Sequence, residues 1–299
     1  MLDVVIIGSG PAGITAAIYA KRANLNVAVV EKEYLGTGQI AESSRVDNYP
    51  GIPGIDGYSL GEKFREHAES LGVEFTEAQV LSLGQKDGIW IIGCDEDITL
   101  ESKAVIYATG CKNRPLGVPG EEKYYGRGLS FCAVCDGAFY KGKRVAVIGG
   151  GDTALDDAMY LSDICEKVYL VHRREFFRGS ASTLDKLKQK ENVEIIVNAR
   201  VEEITGDKKI DGIILDNKTK LNISGLFAAV GMIPQTELLK EFGVLDESNY
   251  VKASEDTKTT VNGLFAAGDV RTKQLRQVVT AAADGANAIY SVMEYLRNI

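Results

Sequence analysis

Short apolar runs alternate with helix-like stretches along most of the chain, and this alternation predicts parallel strands joined by helices. Residues 3–8, "DVVIIG", form a β-branched apolar run suited to a buried strand, and residues 14–24 have helical spacing. A second strand-like run follows at 25–32 and contains an acidic residue near its end. These segments predict a βαβ unit whose first turn reads "GSGPAG".

The same pattern returns at residues 143–174, so we predict an α/β protein with two Rossmann-like (three-layer ββα) dinucleotide-binding domains. Between the two units the sequence predicts an amphipathic helix at 59–71 and a β-rich stretch at 73–108, and a long helix at 278–296 closes the chain. Segments that combine Gly and Pro mark the crossings between domains. The predicted first domain is discontinuous, 1–113 with 233–299, and the second domain, 114–232, is inserted in it.

Glycine-rich turns predict two dinucleotide sites with different preferences. The glycines let the backbone approach a pyrophosphate, and the next helix N-terminus presents its N–H groups to that anion. Glu31 follows the first turn, where a carboxylate binds an adenosine ribose and repels a 2′-phosphate, so this site suits FAD or NAD. The second unit has "HRREFFR" at the corresponding place, and arginines there suit the 2′-phosphate of NADPH. The small-residue positions are Gly8, Gly10 and Gly13 in the first turn and Gly149, Gly151 and Ala154 in the second.

Composition narrows the function classes. The formal net charge of −8 argues against a nucleic-acid partner, which normally meets a basic face. The longest apolar runs are far short of the ~20 residues that a membrane-spanning helix needs, so no membrane partner is predicted. The N-terminus lacks the basic start of a signal peptide, and five cysteines do not resemble a secreted disulfide framework. We therefore expect a cytoplasmic protein.

Residues 130–137, "SFCAVCDG", carry two cysteines shortly before the second glycine turn. A zinc site needs about four ligands, and the chain has no second Cys-x-x-Cys pair and only His67 and His172, so zinc and Fe–S sites are disfavoured. An inert buried pair remains an alternative to a redox-active disulfide. The redox interpretation is favoured because Asp136 follows directly and can act as acid or base. The remaining cysteines, Cys94, Cys111 and Cys165, are predicted to be small core residues.

Short motifs follow one another along the chain in the order "GSGPAG", "GTGQI", "NYPG", "ATG", "CAVCDG", "GGGDTA", "HRREFFR", "GLFAAGDV" and "RQVVTAA". This order resembles that of the low-molecular-weight thioredoxin reductases over essentially the whole chain. The resemblance implies that the first domain, 1–113 with 233–299, binds FAD and that the inserted domain, 114–232, is of the NADPH-binding type. It implies electron transfer from NADPH to FAD, then to a Cys132–Cys135 disulfide, and then to thioredoxin. It also implies a homodimer, and rotation of the second domain about linkers near 111–117 and 231–235.

The resemblance also implies roles for individual residues. Cys135 matches the flavin-facing sulfur, Cys132 the sulfur that attacks thioredoxin, and Asp136 the proton donor and acceptor. The implied FAD contacts are Gly8, Gly10, Pro11, Ala12, Gly13, Glu31, Gln39, Asn48, Asp269, Arg276, Gln277 and Val278. The implied NADPH contacts are Gly151, Asp152, Thr153, His172, Arg173, Arg174 and Arg178.

Three departures and two alternatives accompany this prediction. Thr37 stands where glycine is frequent in the family, and Gly179 stands where alanine is frequent. The stretch "EFF" at 175–177 is unusually apolar for a segment beside a charged phosphate. Some relatives take electrons from reduced ferredoxin, but they typically lack the second glycine motif or the arginines, which are present here. NADPH is therefore the favoured donor, and reduced ferredoxin is the alternative. The second alternative is a redox-sensing flavoprotein that binds a partner without turnover.

Overall fold

The computed structural model describes residues 1–33, 38–43 and 45–299. These residues divide into two compact units, each with its own sheet and hydrophobic core. Unit 1 combines Met1–Lys112 with Ile233–Ile299, and unit 2 is Asn113–Met232. The predicted α/β class with parallel sheets is confirmed. The departure at Thr37 lies outside the described residues.

The strands include buried central ones, which follow the short apolar runs of the sequence because a buried parallel strand favours β-branched side chains. In chain order they are β1 (Leu2–Ile7), β2 (Val27–Glu31), β3 (Glu74–Glu77), β4 (Val80–Lys86), β5 (Ile89–Cys94), β6 (Thr99–Tyr107), β7 (Cys111–Asn113), β8 (Leu129–Ser130), β9 (Arg144–Gly149), β10 (Lys167–Val171), β11 (Val193–Ile196), β12 (Val201–Thr205), β13 (Gly212–Leu215), β14 (Lys220–Asn222), β15 (Gly225–Ala229), β16 (Met232–Pro234) and β17 (Leu264–Ala266).

The helices include the long segments expected from the sequence and several short turns. The α-helices are α1 (Pro11–Arg22), α2 (Gly57–Ser70), α3 (Ala133–Asp136), α4 (Asp152–Ser162), α5 (Ala181–Lys188) and α6 (Val278–Leu296). The 3-10 helices are Gly38–Glu42, Glu121–Tyr124, Gly137–Tyr140, Glu237–Phe242 and Gly268–Val270.

Unit 1 is built on a seven-stranded sheet. Strands β3, β2, β1 and β6 are parallel in that order, β17 also pairs with β6, and β5 and β4 continue the sheet antiparallel. Successive side chains of a strand point to opposite faces, so Val4 and Ile6 join the core cluster under α1 and α6, whereas Val5 and Ile7 join the other. The sheet is thus covered on both faces, as its continuous apolar strands require.

The helix boundaries agree closely with the sequence prediction. Helix α6 occupies the predicted span of 278–296. Helix α2 begins two residues before the predicted 59, because Asp56 accepts a hydrogen bond from the Ser59 backbone N–H at 2.9 Å and thereby caps the helix N-terminus.

Unit 2 repeats the arrangement on a smaller scale. Its parallel sheet has the order β11-β10-β9-β15-β8, and α4 follows β9 directly after the second glycine turn. Strands β12, β13 and β14 form a separate antiparallel sheet. The chain passes between the two units at β7 and β16, which pair as a two-stranded sheet. No helix among the described residues is long and apolar enough to cross a membrane.

A buried ion cluster in unit 1 holds the segment at 268–273 against α6. The Asp284 side chain, 3% exposed, accepts hydrogen bonds from Arg271 Nη2 at 2.6 Å and from Lys273 Nζ at 2.9 Å. The Gly268 backbone N–H also donates to it, at 2.8 Å. Burial alone would raise the pKa of Asp284, but the bonds from Arg271 and Lys273 hold it below the ordinary value. The Asp284 carboxylate is therefore charged at neutral pH, and it binds Gly268, Arg271 and Lys273 to helix α6.

Replacing Asp284 should test this anchor. Asp284→Asn should lower the free energy of unfolding at pH 7 by about 3 kcal/mol or more, because two buried cations lose their counter-charge. Since the folded-state pKa is depressed, the stabilisation is complete above the unfolded-state pKa of about 3.9 and is lost as the pH falls through the folded-state value. Urea denaturation at neutral and acidic pH measures both effects.

The exposed pair Arg45–Asp47 provides the control, because Asp47→Asn removes the same charge at the surface and should leave stability nearly unchanged. If the two substitutions lower the free energy of unfolding equally, the assignment is contradicted. It is also contradicted if the loss of stability in Asp284→Asn does not become smaller at acidic pH.

Candidate active site

The two cysteines of "SFCAVCDG" form a disulfide at the start of a short helix. Cys132 is the N-cap of α3, and Cys135, one turn later, is bonded to it. The Cys135 backbone N–H lies 3.2 Å from the Cys132 sulfur. Both residues are partly exposed, so the pair is accessible. This exposure argues against an inert buried pair, and among the described residues no cluster of three metal-ligating side chains exists.

Asp136 lies at the end of α3 and is held by a serine that sequence reasoning did not single out. Ser130 Oγ donates to Asp136 Oδ2 at 2.6 Å and lies 3.1 Å from the Cys132 backbone N–H, which donates to it. Burial raises the pKa of Asp136, although the bond from Ser130 works in the opposite direction. A carboxyl with a raised pKa beside a disulfide can hold a proton and give it up, which thiol–disulfide chemistry requires. In the sequence, Ser130 could have been found only as a polar residue within an apolar strand.

Close packing fixes the position of α3. A Cβ at Gly137 would lie 2.7 Å from the Tyr160 ring and 3.0 Å from Leu161, both on α4. Glycine at this position therefore lets the end of α3 lie directly on α4. The redox pair and the second glycine turn are thus held in one unit by the same helix.

The first glycine turn brings α1 against the strand ends of unit 1. Gly8 has a φ of +107°, and a Cβ there would lie 2.5 Å from the Ala108 carbonyl oxygen. A Cβ at Gly13 would lie 1.8 Å from the Gly8 carbonyl oxygen. Pro11 begins the helix after Gly10, which has no side chain to cap the first turn. The N-terminus of α1 is therefore free to present N–H groups to a bound phosphate.

Two buried carboxylates near this turn have an oxygen without a hydrogen-bond partner among the described residues, Glu31 Oε2 and Asp269 Oδ1. Asp269 is beside the turn, because a Cβ at the preceding Gly268 would lie 2.9 Å from Ala12 Cβ. Burial raises the pKa of Asp269. Buried acceptors usually have donors, so these two oxygens fit the hydroxyl groups of a sugar or a ribityl chain. These two acceptors, together with the N–H groups at the start of α1, therefore fit a dinucleotide.

Other predicted FAD residues lie at the start of α6. Asn48 Nδ2 donates to Gln277 Oε1 at 2.8 Å, and Val278 is the first residue of the helix. The Gln277 backbone N–H donates to Thr280 Oγ1 at 3.1 Å, and this bond is part of the capping box at the N-terminus of α6. The Arg276 guanidinium lies 4.2 Å from the centroid of the Tyr250 ring. Gln39 lies in the 3-10 helix at 38–42, and its predicted role stays a prediction, as do those of the other site residues.

The second glycine turn has the same close packing. A Cβ at Gly149 would lie 2.4 Å from the Ala229 carbonyl oxygen, whereas a Cβ at Gly151 would meet nothing within 4 Å, which leaves open space at the N-terminus of α4. Asp152 accepts a hydrogen bond from the Ser180 backbone N–H at 2.7 Å, and Thr153 is exposed. A Cβ at Gly179 would lie 2.8 Å from the Asp152 nitrogen, so the departure from alanine follows from the local packing.

The basic residues after β10 separate into two kinds. His172 is 6% exposed, its ring fills the space beside Gly150, and its Nε2 lies 3.2 Å from the Phe176 carbonyl oxygen. Burial lowers the pKa of His172, so at neutral pH it is an uncharged packing residue. Three exposed guanidinium groups remain, and none of them forms an ion pair in the part of the chain that is described. They belong to Arg173, Arg174 and Arg178.

The other cysteines are confirmed as buried free thiols. Cys111 Sγ donates to the Asp269 carbonyl oxygen at 2.9 Å, and Cys165 Sγ donates to the Tyr140 carbonyl oxygen at 3.3 Å. Burial raises the pKa of each of these two thiols to about 11. They therefore stay protonated and unreactive at neutral pH.

Known proteins resemble this chain over its full length. The family model of pyridine nucleotide-disulphide oxidoreductases matches residues 2–285. The chain is 40% identical to the "34.2 kDa protein in rubredoxin operon" of Clostridium pasteurianum, an alignment that covers 99% of this chain and 97% of that protein. It is 39% identical to the thioredoxin reductase of Listeria monocytogenes, with 99% and 94% covered. The crystal structure of thioredoxin reductase from Streptococcus pyogenes superposes with a TM-score of 0.94 at 40% identity, with 100% and 99% covered.

Removing the Ser130 hydroxyl should change the acidity of Asp136. In Ser130→Ala the pKa of Asp136 should rise further, because the carboxylate loses the bond that stabilises its charged form while it stays partly buried. The pH titration of the Asp136 carboxyl carbon by NMR, with the disulfide oxidised, measures this shift. Ser162→Ala removes another buried hydroxyl of unit 2, one that bonds to Met159, and should leave the titration unchanged. A fall in the pKa of Asp136, or no change, would show that Ser130 does not hold the carboxylate.

Proposed function

The chain belongs to the family of pyridine nucleotide-disulphide oxidoreductases, and on that premise we propose that it is an NADPH-dependent thioredoxin reductase. The observation that carries the proposal is the accessible Cys132–Cys135 disulfide with a partly buried carboxyl beside it. Thioredoxin reductases of Listeria and Streptococcus are similar to it over the whole chain, so no part of the molecule requires a different activity.

Unit 1 would hold FAD, which when bound supplies two-electron transfer between the nicotinamide donor and the disulfide. The N-terminus of α1 would face the pyrophosphate, Glu31 would bind the adenosine ribose, and Asp269 would accept from the ribityl hydroxyls. The unsatisfied oxygens of these two carboxylates support the assignment. The other proposed contacts are Gly8, Gly10, Pro11, Ala12, Gly13, Gln39, Asn48, Arg276, Gln277 and Val278.

Unit 2 would hold NADPH. The open space at Gly151 supports a pyrophosphate position at the N-terminus of α4, and the three exposed arginines after β10 support a 2′-phosphate position. Asp152 and Thr153 would line the turn. The uncharged His172 ring would pack against Gly150 and so hold the turn in place.

The dithiol form of the pair would reduce thioredoxin by two exchanges. The Cys132 thiolate attacks one sulfur of the partner's disulfide, and the other partner sulfur leaves and takes up a proton. The Cys135 thiolate then attacks Cys132, which restores the Cys132–Cys135 disulfide and releases the partner as a dithiol. Two electrons and two protons pass to the partner, and Asp136 accepts a proton from one thiol and returns it to the leaving sulfur.

The donor, the domain motion, the assembly and the location are also proposals. The intact second turn and the unpaired arginines favour NADPH over reduced ferredoxin, and over a sensor that needs no donor. The units would rotate about the segments near 111–117 and 231–235, which contain β7 and β16. Homodimer formation and a cytoplasmic location follow from the resemblance to bacterial thioredoxin reductases.

Anaerobic titration of the flavoprotein tests the function. We expect NADPH to bleach the visible flavin absorbance and the reduced protein to reduce thioredoxin catalytically. The double variant Arg173→Ala, Arg174→Ala should need an NADPH concentration at least roughly tenfold higher to bleach the flavin, because charge-assisted bonds to phosphate are lost. Arg144→Ala removes an exposed cation of unit 2 that pairs with Glu166 and should behave like wild type.

Two results would contradict the proposal. If NADPH leaves the flavin oxidised while reduced ferredoxin bleaches it, the donor is wrong. If NADPH bleaches the flavin but thioredoxin stays oxidised, the acceptor is wrong and the sensor hypothesis gains support.

A further inference from the structure

A buried ion pair lies at the adenosine end of the proposed FAD site. Glu31, at the carboxyl end of β2, is 3% exposed, and its Oε1 accepts a hydrogen bond from Arg65 Nη1 at 2.5 Å. Its Oε2 has no hydrogen-bond partner among the described residues. The two oxygens of one carboxylate therefore have different roles: one is bound by the protein, and the other is left for a ligand.

Arg65 is itself held in one orientation by two further contacts. Its Nε donates to Glu69 Oε1 at 2.7 Å, one turn along α2, and its guanidinium carbon lies 4.0 Å from the centroid of the Phe75 ring. Phe75 is on β3, which pairs directly with β2. Arg65 is only 7% exposed, so its planar group is fixed by a carboxylate at one edge and an aromatic ring against its face.

We propose that Arg65 is a positioning residue for the adenosine ribose of FAD, which fixes Oε1 of Glu31 so that Oε2 accepts the ribose 2′-hydroxyl. The inference rests on the proposed FAD site in unit 1. Without Arg65, a carboxylate buried to this extent would lose its counter-charge and its fixed direction. Arg65 lies between two carboxylates, so the group as a whole stays anionic and still disfavours a 2′-phosphate.

The chemistry of the contact indicates which change should be tolerated. Lysine would keep the positive charge but bonds as a point charge, without the planar fork and the stacking on Phe75. Methionine keeps much of the apolar stem and removes both the charge and the donors. Arg65→Lys should therefore retain part of the positioning, and Arg65→Met should lose it.

The test compares two ligands that differ by one hydroxyl group. The full-length chain, freed of flavin, is titrated with FAD and with an FAD analogue that has 2′-deoxyribose in its adenosine. Wild type should bind FAD more tightly than the analogue. In Arg65→Met the FAD affinity should fall roughly tenfold to a hundredfold, the loss expected for a charge-assisted hydrogen bond, while the analogue's affinity falls much less. The ratio of the two affinities should therefore approach one.

A matched control and three outcomes decide the inference. Lys103→Met removes another cation of unit 1, which pairs with Asp3 at 2.8 Å, and should leave both affinities unchanged. An equal loss for both ligands in Arg65→Met would mean that Arg65 only stabilises the fold, and affinities for both ligands that stay at the wild-type values would likewise overturn the proposal. Failure of wild type to bind either flavin would overturn the FAD site itself, a result distinguishable from both.

Discussion

Backbone contacts closer than any Cβ permits hold a helix N-terminus against the sheet in each unit. A Cβ at Gly13, on α1, would lie 1.8 Å from the Gly8 carbonyl oxygen, and a Cβ at Gly149 would lie 2.7 Å from the Ala154 Cβ on α4. Only glycine allows this approach, and the approach in turn directs the first N–H groups of α1 and α4 at the crevice beyond the strand ends. Glu31 at the end of β2, the arginines after β10 and the disulfide on α3, which packs on α4, lie in the same two units as these turns.

Four fully or partly buried carboxylates differ in how completely their oxygens are hydrogen-bonded. Asp284 has two cations and a backbone N–H and therefore anchors the 268–273 segment to α6. Glu31 and Asp269 each retain a buried oxygen without a donor, which suits a ligand. Asp136 has one hydroxyl donor and a raised pKa, which suits proton transfer. The number and charge of the donors thus distinguish the anchoring carboxylate, Asp284, from those that we propose bind a ligand or transfer a proton.

Local patterns in the sequence were sufficient for the elements and for the redox pair. The span of α6, the parallel strands, and the burial of Cys94, Cys111 and Cys165 depend on periodicity and composition, which are visible in one segment at a time. Contacts between distant segments were not predictable in this way. Glu31 and Arg65 are 34 residues apart, and their pairing depends on how α2 packs beside β2 and β3.

Two further features illustrate the same limit. His172 looked like one of the basic groups at the phosphate end, but the packing of its ring beside Gly150 makes it an uncharged support. Ser130 carried only the weak signal of a polar residue in an apolar strand, and its bond to Asp136 depends on the turn from β8 into α3.

The division of roles between the two sulfurs is tested most directly by trapping the exchange intermediate. Each single variant, Cys132→Ser and Cys135→Ser, is reduced and mixed with a thioredoxin that retains one active-site cysteine, activated as a mixed disulfide with thionitrobenzoate. Peptide mass spectrometry then locates the bond. We predict a stable link through Cys132 in the Cys135→Ser chain and little or none through Cys135 in the other. A link formed mainly through Cys135 would contradict the assignment.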